Sequence, residues 1–394
     1  MASELLETRM KAAILQRDEA AVVALLEGGF DPNGTDPLSG PTPLSRAVST
    51  GCHGVVTALL ERGADPNRLS LTRAEPVVEA VMRGNADIAR LLIDNGAEVN
   101  SRDEHGNTLL NMAAYRLPEA SIAFLLRHGA DMNLANMEGK TPLLTAVQKR
   151  RTGVVRLLLE NGADTDRVDA AGISALSAAI KTGQNNAIHM LLEQGANPNV
   201  ADHTRHTPLM WATRYSILDL SIVRFLIQQG ANVDMQNAKG DTALSIAASL
   251  GNLGVVRTLT THGANVNIAN VEGKTALIQA VDTEGMVARR RDRTEIVKLL
   301  IEHHADLDVQ DNKRQTALML AAAKGYTEVV HMLLLGNADL FLKNCQGRTA
   351  LQASCPTATP SVLFSLLERH TEYFNHYKDV PSAVVAHDAL PASR

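Results

Sequence analysis

Residues 136–168 read NMEGKTPLLTAVQKRRTGVVRLLLENGADTDRV, and the order of residue types predicts two short helices and a turn. Thr141 is placed to cap a helix with its hydroxyl. Pro142 then falls at the first helical position, where its missing N–H costs nothing. Leu143, Leu144, Ala146 and Val147 continue that helix with apolar residues on one face. Lys149 to Gly153 interrupt it, and Val154, Val155, Leu157, Leu158 and Leu159 give a second, more apolar helix. Gly162 ends it, because glycine carries no penalty in the left-handed conformation. The Asp, Asn and Gly residues beyond read as a turn leading to the next cap.

The pattern recurs along almost the whole chain. A Thr followed by Pro, Leu or Ala and then Leu occurs at Thr42, Thr108, Thr141, Thr207, Thr242, Thr275, Thr316 and Thr349, with Glu75 and Ser174 filling the two gaps. Successive steps are 33 residues, except for one of 35 and one of 41. A second landmark, Gly-Ala followed by Asp, Asn or Glu, comes 21 residues after most of these, at Gly63, Gly96, Gly129, Gly162, Gly195 and Gly263. Fixed self-similarity at this length means stacked repeats rather than one globular core. Function is then to be sought on a surface that several repeats share.

These residues resemble the ankyrin repeat through the Thr-Pro-Leu start, the Ala pair of the first helix, the Val-Val-x-x-Leu-Leu second helix and the Gly-Ala-Asp-x-Asn exit. The resemblance covers roughly residues 8–370 and implies an all-α ankyrin-repeat solenoid of stacked helix pairs, with hairpin-like loops and terminal caps. We expect an N-terminal capping repeat at 1–36, then nine repeats within 37–343, at 37–69, 70–102, 103–135, 136–168, 169–201, 202–236, 237–269, 270–310 and 311–343. A C-terminal capping repeat follows at 344–370 and a tail at 371–394. Residues 8–37 keep the helix pair and the exit but lack Thr-Pro-Leu, as a polar terminal cap would. Glu-Pro-Val at Glu75 loses the capping hydroxyl. His304 and Asn337 replace the exit glycine, both being residue types enriched at positive φ.

Composition fits this architecture. Apolar residues make up 45% of the chain but aromatics only 3%, so the core must be built from Leu, Val, Ile and Ala. The net charge of −5 gives no global case for nucleic acid or an anionic membrane. Cys52, Cys345 and Cys355 are odd in number and lack metal-ligand spacing, as reduced thiols in a cytoplasm would. No segment is apolar enough to span a bilayer. No catalytic constellation, metal site or cofactor motif stands out: His303 and His304 are neighbours pointing different ways on a helix, and no glycine-rich phosphate loop joins a strand to a helix. The asparagines of the exits, Asn67, Asn100, Asn133, Asn199 and Asn267, read as loop-stabilising residues.

By the same resemblance, residues at the end of each first helix face a concave groove and vary with the partner. Five consecutive repeats each place one cation there: Arg83, Arg116, Lys149, Lys181 and Arg214. Arg150 and Arg151 extend the turn beside Lys149, and none of the ten positions concerned is acidic. With helices about 10 Å apart, the stripe would run about 40 Å. Tyr115 and Tyr215 lie within it, and Trp211 shares a helix with Arg214; these are residue types enriched in interface hot spots. Cations at helix ends also complement the helix dipole, so a solvated edge is the competing account. Between the helices of the 270–310 repeat, eight extra residues within 282–293 form a secondary basic loop with Arg289, Arg290, Arg291 and Arg293.

The sequence therefore predicts a non-enzymatic, monomeric scaffold in the cytoplasm, its own cell's or a host's. It would bind another protein with an acidic or phosphorylated surface. A second reading uses the same cations to receive a phosphorylated small molecule or single-stranded nucleic acid.

Overall fold

The computed structural model describes residues 2–34, 41–68, 75–215, 220–282, 290–353 and 368. Every named element among them is an α-helix, and there are twenty-one. Two isolated β-bridges, Arg102 with Thr108 and Val168 with Ser174, are the only extended pairings among these residues. The chain divides into two compact units, Met1–His203 and Thr204–Arg394. In the first, Ala2–Gln16 and Glu19–Glu27 open a series of helix pairs that closes with Ala175–Lys181 and Asn185–Glu193. The second unit runs from Pro208–Arg214 and Leu220–Gln228 to Thr327–Leu335 and the short Ala350–Ala353. Of the expected C-terminal cap, residues 344–353 and Glu368 fall within the described residues, while 371–394 lie outside them.

The helix starts follow from the landmark hydroxyls. Thr42, Thr108, Thr141, Thr207, Thr242, Thr275 and Thr316 each accept a hydrogen bond from the amide three residues on, at 3.1–3.4 Å, and Ser174 does the same for Ser177. All eight are buried, so each hydroxyl satisfies an amide that water cannot reach. Glu75 makes no such bond, and its helix Pro76–Met82 starts on Pro76 alone. The Glu75 carboxylate instead accepts a hydrogen bond from the Ser101 hydroxyl.

Behind the caps, Leu144, Val147, Val155 and Leu158 are almost fully buried, as are Leu244, Val256 and Leu259 in the second unit. Each such side chain stabilises the stack by about 1.5–3 kcal/mol. The exit glycines have positive φ, including Gly162 at 87°, and His304 and Asn337 adopt the same conformation at 62° and 65°. At the N-terminus, Met10, Ala13 and Ile14 face inward, while Leu5, Leu6 and Leu15 are exposed.

The exits do more than turn the chain. The side chain of Asn33 accepts a hydrogen bond from the amide of Asp65 at 2.7 Å and donates one to the Gly63 carbonyl at 2.8 Å. Asn67 repeats the pair with Glu98 and Gly96, and Asn100 with Asp131 and Gly129. Asn133 and Asp166 accept from Asp164 and Asn197. In the second unit Asp234, Asn267 and Asp308 accept from Asn265, Asp306 and Asp339 at 2.7–2.9 Å. The bonds accepted from the next exit's amide span 31 or 32 residues, except that from Asp306, which spans 39 and is still 2.8 Å long.

Asn67→Ala removes two bonds between successive repeats. At an exposed site it should destabilise the first unit by about 1–2 kcal/mol. Native-state hydrogen exchange should find the Glu98 amide deprotected. Asn67→Asp should keep that amide protected, since a carboxylate does the same work at Asp166.

Candidate binding surface

In the first unit, Tyr115, Arg116 and Lys149 come together where the helices Leu109–Arg116 and Pro142–Gln148 end. The Lys149 ammonium lies 4.1 Å from the Tyr115 ring centroid, and the Arg116 guanidinium 5.8 Å from it. A cation over an aromatic face is worth about 0.5–1 kcal/mol at an exposed site. Arg116 also donates to the Met82 carbonyl one repeat back. Arg83, beside Met82, is half exposed and pairs with Glu79 at 3.1 Å.

The other cations of the expected stripe are engaged differently. Arg151 turns inward: its guanidinium donates to the carbonyls of Ala113, Ala114 and Leu117, which end the preceding first helix. Gln184 does the same one repeat later, donating to the Val147 carbonyl at 2.8 Å. Arg151 is thus a C-terminal cap for a neighbouring helix, a role its sequence position hides. Arg150 has φ 58°, where equivalent turns carry Gly51, Gly84 and Gly183. Its guanidinium donates to the Thr182 carbonyl at 2.6 Å. Lys181 is mostly buried and lies 4.0 Å from the buried Asp202. Burial pulls its ammonium below the ordinary lysine range, and the attraction of Asp202 and Asp169 does not fully offset this.

In the second unit, Arg214 is exposed. Trp211 is half-buried between His206 and Tyr215, its ring stacked at centroid distances of 4.8 and 5.9 Å. The secondary basic loop needs correction. Arg290, Arg291 and Arg293 belong to the helix Arg290–Glu302, and Arg289 lies outside the described residues. Arg293 is only 8% exposed, its guanidinium 4.3 Å from the Tyr326 ring centroid. An arginine stem is largely hydrocarbon and packs well on a ring, which a run of charges in sequence does not reveal.

Sequence reasoning missed the acid that orders the second unit's helix ends. Asp282 receives Lys274 at 2.8 Å and Lys324 at 3.1 Å, and Lys274 also pairs with Glu272 at 2.8 Å. Burial works to raise the Asp282 carboxyl, but the hydrogen bonds from Lys274 and Lys324 outweigh it and hold the group below its usual range. Burial likewise opposes the Lys274 ammonium, yet its bonds to Asp282 and Glu272 raise it above the usual lysine range. Met137, exposed at the tip of its turn, was also missed. A methionine among polar turn residues is the signal that marks it.

A lowered carboxyl contributes stability above its unfolded value and loses it as the pH falls through its folded one. The Asp282 contribution should therefore fade below about pH 4. Asp282→Asn should destabilise the second unit at neutral pH by about 1–2 kcal/mol. The difference in melting temperature from the wild type should shrink in acid.

Among the described residues, no group of three or more His, Cys, Asp or Glu is placed to hold a metal ion, and no helix is long and apolar enough to cross a membrane. Comparison with known proteins gives the family. The pattern described as Ankyrin repeats (3 copies) matches residues 77–169, 162–237, 209–288 and 285–376, and a single Ankyrin repeat matches 39–70. The chain is 37% identical over 78 residues to the B-cell lymphoma 3 protein homolog of Mus musculus, covering 20% of this chain and 17% of that protein. It is 38% identical over 74 residues to the ankyrin repeat domain-containing protein SAT10 of Stachybotrys chartarum, covering 19% and 4%. The chain thus spans less than a fifth of either relative. Among solved structures, the ankyrin repeat domain of Bcl-3 aligns with a TM-score of 0.50 at 25% identity, over 58% of this chain and 99% of that one. With helix pairs, caps and exits repeating as that pattern requires, the chain belongs to the ankyrin-repeat family.

Proposed function

We propose that this chain is a non-enzymatic scaffold that holds another protein against the concave side of its repeats. Ankyrin repeats generally serve protein–protein interaction. The finer reading assigns the contact to the first-helix ends of the repeats within 70–236. The partner presents an acidic or phosphorylated surface, and the scaffold works as a cytoplasmic monomer without a cofactor.

One observation carries the reading. Lys149 and Arg116 sit exposed beside Tyr115, and neither has a carboxylate at ion-pair distance among the described residues. Lys324, at the corresponding helix end in the second unit, is paired with Asp282 at 3.1 Å. A solvated edge needs no such difference, whereas a surface awaiting an acidic partner does. The stack of His206, Trp211 and Tyr215 supports a second reading, a receptor for a phosphorylated small molecule or single-stranded nucleic acid. Its rings, however, already cover one another.

The test is the double charge reversal Arg116→Glu with Lys149→Glu, read by partner capture from native cells. Both side chains are exposed, so melting should stay close to wild type, while capture should be lost. Arg156→Glu, on the exposed side of the second helix Thr152–Glu160, should leave capture intact. Equal capture by wild type and the double variant would reduce the stripe to a solvated edge.

A further inference from the structure

We propose that a cleft in the first unit seats an extended peptide segment in which an aspartate or glutamate lies close to a large apolar side chain. This rests on the reading of the chain as a protein-binding scaffold and names the chemistry of its partner. The cleft, of about 440 Å³, is bounded by the helices Leu109–Arg116 and Pro142–Gln148 and by the turns that precede them. Its lining includes Asn111, Met112, Tyr115, Met137, Gln148 and Lys149.

Three features point to the occupant. Met137 is 77% exposed and Tyr115 49%, so two large side chains offer apolar surface to one cleft, where methionine adapts readily to varied partners. Lys149 has the Tyr115 ring as its neighbour and no carboxylate at ion-pair distance among the described residues. Its charge is therefore available to a carboxylate that arrives with the ligand. Asn111 is 2% exposed, and its Nδ2 donates to the Leu134 carbonyl at 3.1 Å, which fixes the orientation of the amide. Its Oδ1 is buried and receives no donor. A buried acceptor left unmade is costly, and an extended peptide brings an N–H with nearly every residue.

The same features weigh against a polyanion. Glu138, also in the lining, is paired with Lys140 at 2.6 Å, so that lysine is already neutralised and the Glu138 carboxylate faces any incoming phosphate. Nucleic-acid affinity grows with the number of cations set against phosphates, and here one lysine is available. Corresponding points on adjacent repeats lie about 10 Å apart, the length of about three residues of extended chain. The acidic and apolar side chains should therefore fall within about three residues of each other.

The experiment pans a phage-displayed library of random peptides, about 12 residues long so as to span the cleft, on the whole chain. The variant Met137→Ser with Lys149→Glu is panned in parallel. Both substituted side chains are exposed, and a melting curve confirms that the variant is folded; Lys149→Met alone serves if it is not. The expected result is enrichment of sequences with Asp or Glu within three residues of Leu, Met, Phe or Trp. As synthetic peptides these should bind the wild type at least about ten-fold more tightly than the variant. No enrichment, enriched sequences without an acidic residue, or equal binding to both proteins would overturn the inference. If the library fails while capture of a folded partner still depends on Arg116 and Lys149, only the peptide cleft falls and the scaffold reading stands. If both fail, the scaffold reading falls with it.

Discussion

Within each unit, amides that open successive exit turns are held by a side chain of the repeat before. Asn67 holds Glu98 and Asn100 holds Asp131 in the first unit, as Asp234 holds Asn265 in the second. A repeat removed from its neighbour would lose this bond together with the apolar face of its helices, so one repeat has no stable fold alone. Asparagine suits the position best because one amide both accepts and donates. Aspartate can only accept, and where burial is deeper it carries a cost: burial pushes the Asp308 carboxyl above its usual range by more than the Asp339 amide pulls it down.

Local chemistry made much of this legible. A hydroxyl before an apolar run has few uses other than capping, and Ser174 and every landmark Thr from Thr42 to Thr316 cap as their spacing implies. The glycine positions could be read because positive φ is a property of the residue itself, and His304 and Asn337 are the types that tolerate it. The exit asparagines were legible as turn formers, but their reach of 31 residues was not, because it depends on the stacking distance rather than on any neighbour in sequence.

The fate of each cation was much less legible. Lys149, Arg150 and Arg151 are adjacent in sequence and have three different surroundings: a tyrosine ring, the Thr182 carbonyl that ends the following repeat's first helix, and the carbonyls that end the preceding one. A helix end displays several unsatisfied carbonyls, and a long side chain one repeat away is well placed to meet them. Which helix end each cation meets, if any, is decided by backbone direction at each residue, and composition carries no trace of that. The contrast with Asp282 follows the same logic. A single acid at a helix end gathers Lys274 and Lys324, and its absence from the corresponding first-unit positions leaves Lys149 without such a partner.

The bond from Asp306 to Asn267 keeps its length although its repeat carries eight additional residues. Those residues enter upstream of the exit, part of them lengthening the second helix, Arg290–Glu302, and so do not alter how one exit meets the next. The stack therefore has a place where length is unconstrained. A segment grafted between the helices of any repeat changes what the protein displays without changing how the repeats hold together. An inserted epitope or docking loop could be exchanged there as an independent part, while the same insertion within an exit turn would separate an asparagine from the amide it holds.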